Sequence, residues 1–351
     1  MVLTLQGDPA QAVFCHHQIG LCASTQNPEK ESSPMERRSF LAISTLAALT
    51  PRGVVAAVKA PERIIDTHQH LWDLQRIRLP WLEGAPDKLR HRFDLEEYRE
   101  ATKGLPIEAI YMEVDVADDQ LDREVAYVVE ASKARNPTRA AVIGGRPGTA
   151  SFADYLARHR TNKEIRGVRR VLHSDATPPG TCRKEPFLAD MKRLGEIDWS
   201  FDFCMRPQEL PDARHVAAQC PDTRFMLDHC GNPDLTAWQK NQETKPKHTV
   251  DAWRKSIEDL ASLPNVYCKI SGVIATLPKD AGAEYLAPAI NHCLDAFGPD
   301  RVVFGGDWPV CLLGGTFQQW YSMLTEIIAD RSEESRQKLW WKNAVAFYRL
   351  G

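Results

Sequence analysis

Two histidines stand one residue apart in the stretch "IIDTHQHLWD", residues 64–73. They follow an apolar pair and an Asp, in the pattern of a buried strand. Alternate residues of a strand face the same way, so the imidazoles of His68 and His70 would project together. Such a pair is either two core histidines sharing hydrogen bonds or half of a metal site. Asp307, in "RVVFGGDWP", closes another apolar run and is framed by Gly305, Gly306 and Pro309. An ionisable group there is costly to bury without a partner or a role. Glu113, His173, the Asp228–His229 pair and Lys269 each lie at or near the end of a further β-rich run. The chain has eleven histidines, and His68, His70, His173 and His229 all fall at such ends, which scattered surface histidines would rarely do.

The elements that carry these residues begin at about residue 62. From there short β-rich runs alternate with amphipathic helices, the mark of βα units and a parallel sheet. The expected strands are 63–68, 108–114, 140–145, 165–173, 200–205, 224–229, 265–271 and 301–307. Asp94 is placed to cap a helix over "LEEYREATK" that stops at Gly104. The helix over 119–135 ends at Asn136-Pro137 and that over 250–263 ends at Pro264, as Gly and Pro dictate. Eight strands, each followed by a helix, predict an α/β chain folded as a (β/α)8 TIM barrel in a single domain, with a doubly wound sheet as the structural alternative. A barrel gathers the carboxyl ends of its strands into one mouth, where active sites form. Each residue also has a purely structural reading: His173 could bond a loop carbonyl, Glu113 could pair with Arg169 or Arg170, and Lys269 could be a snorkelling side chain.

Composition bounds the rest. The 351 residues are 43% hydrophobic and 26% charged, enough for a sizeable core. A formal charge of −3 leaves no basic footprint, which argues against nucleic acid as a partner. Nine cysteines without a CxxC pair fit neither zinc ribbons nor redox motifs, and read as small core residues. Residues 1–34 show no sustained periodicity and read as a disordered or mis-annotated start. In 35–61, "MERRSFLAISTLAAL" has the layout of a secretory signal, with a charged start, an apolar run and an Ala-rich zone. Its "RRSFL" core is similar to a twin-arginine export signal. An exported, periplasmic enzyme is therefore expected, or a cytoplasmic one if this segment is an ordinary helix. The run is too short for stable membrane insertion.

Four motifs in order, "DTHQHLWD", "LDHCGNP", "NVYCKISG" and "FGPDRVVFGGDWPVCLL", resemble the amidohydrolase superfamily, and more narrowly its sugar-lactonase branch of L-fuconolactonase and L-rhamnonolactonase type. The resemblance spans residues 62–351, including the "NAVAFYRL" ending. It implies that His68 and His70 are the HxH ligands of one divalent metal ion, zinc or manganese, with Asp307 touching the metal or the attacking water as general base. It implies a metal- or substrate-binding place for His229, a metal-reaching position for Glu113, and a structural or orienting role for Asp66. His173 and Lys269 would line the substrate cavity, Trp72 and Trp308 would shape it, and Arg170, like Arg146, Arg169 and Arg206, is a candidate for a substrate carboxylate. Strand five lacks a histidine and strand four lacks a lysine, so a binuclear site is not expected.

The implied reaction is the opening of a sugar lactone. It needs an activated water, a polarised carbonyl and help for the leaving alkoxide, which a metal and Asp307 could supply, with His173, His229 or Lys269 stabilising the oxyanion. The alternatives are a metal-dependent decarboxylase of the same superfamily and a sugar-binding barrel without catalysis.

Overall fold

Each β-rich run of the sequence becomes a strand. They are β1 (Ile64–Gln69), β2 (Ile107–Met112), β3 (Thr138–Gly144), β4 (Ile165–Val171), β5 (Ser200–Cys204), β6 (Phe225–Leu227), β7 (Val266–Ile270) and β8 (Val302–Phe304). All pair in parallel, in the order β1 to β8. After each comes a helix: α1 (Leu95–Ala101), α2 (Leu121–Lys133), α3 (Phe152–His159), α4 (Glu185–Glu196), α5 (Leu210–Gln219), α6 (Val250–Ala261), α7 (Ala283–Phe297) and α8 (Phe317–Ile327). Two short helices, α9 (Glu333–Gln337) and α10 (Asn343–Tyr348), follow. The computed structural model describes residues 59–351 except 134–136 and 240–244. The expectations for 1–34 and for the signal-like segment lie outside the described residues, 59–61 apart. No helix among the described residues is long and apolar enough to cross a membrane.

Local chemistry starts the helices where the sequence predicts. Asp94 accepts from the amides of Glu96 and Glu97 while Glu97 bonds back, a complete capping box for α1. Thr249 caps α6 through the amide of Ala252. The strand alternation sorts the core into two parts. Ile64, Tyr111, Ile143 and Phe203 face outward and pack under the helices. Ile65, Ile110, Met112, Val142, Met226 and Val303 fill the interior, where Phe347 and Tyr348 of α10 pack against them.

The seam between β8 and β1 has its own construction. No regular ladder joins them; Thr67 Oγ1 donates to Phe304 O at 2.6 Å and His70 N to Trp308 O at 2.8 Å. At its centre is the fully buried Asp66, whose carboxylate accepts from His68 N (2.9 Å), Gly306 N (2.6 Å) and the Tyr98 hydroxyl of α1 (2.8 Å). Burial raises its pKa, which those three donors oppose. One carboxylate thus ties together the strand that bears the two histidines, the glycine before Asp307 and the first helix.

Asp66→Ala should therefore destabilise the chain by about 3–5 kcal/mol, because each buried donor left without an acceptor costs roughly 1–3 kcal/mol. Denaturant unfolding of the variant beside the parent measures this, and a loss below about 1 kcal/mol would show that the clasp is dispensable.

Candidate active site

The pairing of β1 with β2 explains how both imidazoles reach the same place. Asp66 pairs with Ala109 and Gln69 with Tyr111, three residues on one strand against two on the other. This is a β-bulge, which re-aims the side chains beyond it. Simple alternation from Ile64 would turn His68 outward with Ile64 and Asp66; the extra residue brings it inside. The rings of His68 and His70 meet edge to face with centroids 4.8 Å apart. Asp307 arrives from the end of β8 in the left-handed region, with φ of 53°. Its Oδ1 lies 3.4 Å from His70 Nε2 and 3.6 Å from His68 Nε2. All three side chains are buried.

Their surroundings orient His70 for ligation and disfavour the charged form of His68. His70 Nδ1 is 2.9 Å from Met112 O, which leaves Nε2 with its lone pair. Burial, then the Lys269 ammonium, hold the His68 pKa well below the usual histidine value. Arg169 Nη1 lies 3.3 Å from His68 Nε2 and shares that nitrogen with whatever else approaches it. Around His68, the buried carboxylates (Asp66, Glu113, Asp202, Asp228 and Asp307) outnumber the buried cations Arg169 and Lys269. The negative excess favours a cation there, and the donor set of two imidazoles and a carboxylate suits a divalent one. The residues present therefore fit a single metal ion.

The structure corrects several residue expectations. Lys269 does not line the cavity: it is fully buried, with Nζ 2.7 Å from Asp202 Oδ2 and 2.8 Å from Asp228 Oδ1. Burial opposes its charge, but those carboxylates outweigh it and raise its pKa. In return Lys269 and His68 keep Asp228 well below the usual carboxylate value despite burial, while burial pushes Asp202 up to about 6. Glu113 does not join the cluster of His68, His70 and Asp307. Its Oε1 takes Arg169 Nε at 2.7 Å and its Oε2 takes the amide of Asp115 at 2.6 Å, so it forms the buried ion pair instead. Trp72 and Trp308 are buried in an aromatic cluster, each packed edge to face on Phe93, and so brace the loops rather than face the cavity. The sequence reading missed the site's inner support. Asp202 carried a signal, a carboxylate between Phe201 and Phe203 on a strand whose other face is apolar.

Beside the histidines opens a cavity of about 500 Å³, whose walls include His173, His229, Asn232 and Tyr285. Its cations are occupied or peripheral. Arg206 is spent on Glu209 and on the carbonyls of Leu172, Ser174 and Thr177, and Lys247 is exposed. Arg170 lines a different cavity, of about 740 Å³, with Nη1 bonded to Pro147 O, and Arg146 there is paired with Asp115 and Asp118. His229 opens a run of four left-handed residues, with φ of 55°, 54°, 71° and 51° through Asn232. The three that are not glycine cost roughly 1–2 kcal/mol each. Asn232 Nδ2 bonded to Met205 O and Trp253 Nε1 bonded to Cys230 O hold the run in place. Burial lowers the pKa of His229, although Asp307 and Asp228 oppose it.

The amidohydrolase family profile matches residues 65–350. The L-fucono-1,5-lactonase of Burkholderia multivorans is 27% identical over 293 residues, covering 82% of this chain and 96% of that protein. The L-rhamnono-gamma-lactonase of Scheffersomyces stipitis is 21% identical, covering 82% and 99%. A crystal structure of a Burkholderia multivorans amidohydrolase with bound zinc superposes with a TM-score of 0.72 at 26% identity, over 82% of this chain and 99% of that one.

Removing the Lys269 charge leaves the buried Asp202 without an ion-pair partner and Asp228 with Arg169 alone, and breaking a buried pair typically costs about 3–5 kcal/mol. Lys269→Met should accordingly lower stability by about that amount. A variant of unchanged stability with a raised KM would instead return Lys269 to the substrate.

Proposed function

The chain belongs to the amidohydrolase family, and from that premise we propose that it is a hydrolase opening an uncharged sugar lactone. The observation that carries this reading is the convergence of His68, His70 and Asp307 beside a cavity with no buried, unspent cation. The lactonase names of the relatives support the reaction class. The engaged arginines support a neutral, hydroxyl-bearing substrate over a carboxylate-bearing one.

His68, His70 and Asp307 would hold one divalent cation, which would supply Lewis acidity to the water and to the lactone carbonyl. The zinc in the related crystal structure makes zinc the first candidate. Asp307 is the general base: its carboxylate takes a proton from water as the water oxygen bonds to the carbonyl carbon. The bond from that carbon to the ring oxygen then breaks, and the ring oxygen, as it leaves, takes up the proton that Asp307 received. The product is an open-chain hydroxy acid, which ionises and releases one proton at neutral pH. His229 and His173, on the cavity wall, face the oxygen that gains charge. The buried ion pairs below keep Asp228 and Glu113 from acting as competing bases, because each is already paired with Lys269 or Arg169.

A panel of neutral aldono-lactones and carboxylate-bearing lactones, followed with a pH indicator, tests the proposal. Acid release from a neutral lactone is expected, with Asp307→Asn slower by about 10²–10⁴-fold, the usual worth of a general base. Metal analysis should find one equivalent bound in the parent and none in His70→Ala. Carbon dioxide release from an aromatic acid, with every lactone inert, would overturn the reading in favour of a decarboxylase.

A further inference from the structure

Ser271 and Gly272 follow β7 directly and meet the ring of His229. Ser271 is fully buried, and its Oγ lies 2.9 Å from His229 Nδ1. Among the described residues this ring nitrogen is the hydroxyl's one partner. A buried hydroxyl left without an acceptor for its proton is costly, so the proton goes to Nδ1. A neutral imidazole carries a single N–H, and with Nδ1 accepting, that proton sits on Nε2.

The contact has little freedom to rearrange. Gly305 at the end of β8 packs so closely on the Cβ atoms of Ser271 and His68 that a side chain there would displace them. Gly272 lies directly against the His229 ring; at φ of 70° it takes a conformation natural to glycine, and a Cβ on it would collide with Nδ1. The left-handed run 229–232 fixes the ring from its own backbone.

We propose that Ser271 is a positioning residue that holds His229 as the Nε2–H tautomer, making His229 a hydrogen-bond donor to the cavity rather than a base or a metal ligand. On the lactonase reading, on which this role rests, the acceptor is the carbonyl oxygen as it gains negative charge. The donor is in place before the reaction and needs no proton transfer, the arrangement that stabilises an oxyanion best. It also divides the work: Asp307 receives the proton and His229 stabilises the charge.

The tautomer is read directly, without substrate, by nitrogen–proton correlation NMR of the histidine rings in the full chain. His229→Gln identifies the signal. The expected result is a protonated Nε2 and an unprotonated Nδ1 for His229, with both nitrogens moving toward a mixed tautomer in Ser271→Ala. The same variant should lose about 10–100-fold in kcat, as outer partners of site histidines do, with KM changed less than twofold. Circular dichroism and thermal unfolding establish that Ser271→Ala, which removes a single oxygen, stays folded. A protonated Nδ1 in the parent overturns the assignment, and so does an unchanged tautomer in Ser271→Ala. The correct tautomer in a chain that opens no lactone would uphold the positioning role and overturn the lactonase reading alone.

Discussion

The three hydrogen bonds accepted by Asp66 are the constraint on which the site depends. A barrel made by winding eight strands in order must still join its last strand to its first, and here the joining strands are short. β8 has three residues before Gly305, too few to form a ladder along the length of β1. The carboxylate supplies what the ladder does not, binding the amides of His68 and Gly306 at once. Because these donors belong to or immediately adjoin His68 and Asp307, closing the barrel and assembling His68, His70 and Asp307 are one event. The glycine at 306 matters for the same reason: a side chain there would collide with the Asp66 carboxylate.

Beneath that seam lies a buried electrolyte. Lys269 is held by Asp202 and Asp228, Arg169 by Glu113 and Asp228, and His68 touches both cations. Ion pairs in such a place contribute little net stability, since desolvation offsets much of their attraction. What they provide is a fixed field around His68. The excess of negative charge favours a cation at the mouth, while burial, and then the Lys269 ammonium, keep the imidazole from becoming one itself.

The sequence revealed what periodicity and chain order encode. Every strand is recognisable because apolar alternation is local, and the ends of the strands are recognisable because a (β/α)8 barrel has only one mouth. His68, His70 and Asp307 were legible for that reason. The β-bulge was not: one extra residue between Asp66 and Gln69 leaves no mark in composition, yet it decides which way His68 points. Lys269 and Trp72 show a second limit. Their types suit a substrate cavity, and whether they face it depends on partners distant in the chain, Asp202 and Asp228 for one and Phe93 and Trp81 for the other. Glu113 was ambiguous for the same reason, until the stagger of β2 and β4 set it against Arg169.

The distribution of charge separates two tasks that would interfere if they were mixed. Below His68 the barrel is charged and dry, so electrostatic interactions there are strong and the positions of the side chains are fixed. Beside it the cavity is open, and its wall presents imidazoles and a phenol rather than salt bridges. The cavity presents no buried, unpaired cation to hold a carboxylate. On the proposed reading, the neutral wall suits an uncharged lactone, while the buried ion pairs below hold the residues around His68 in place.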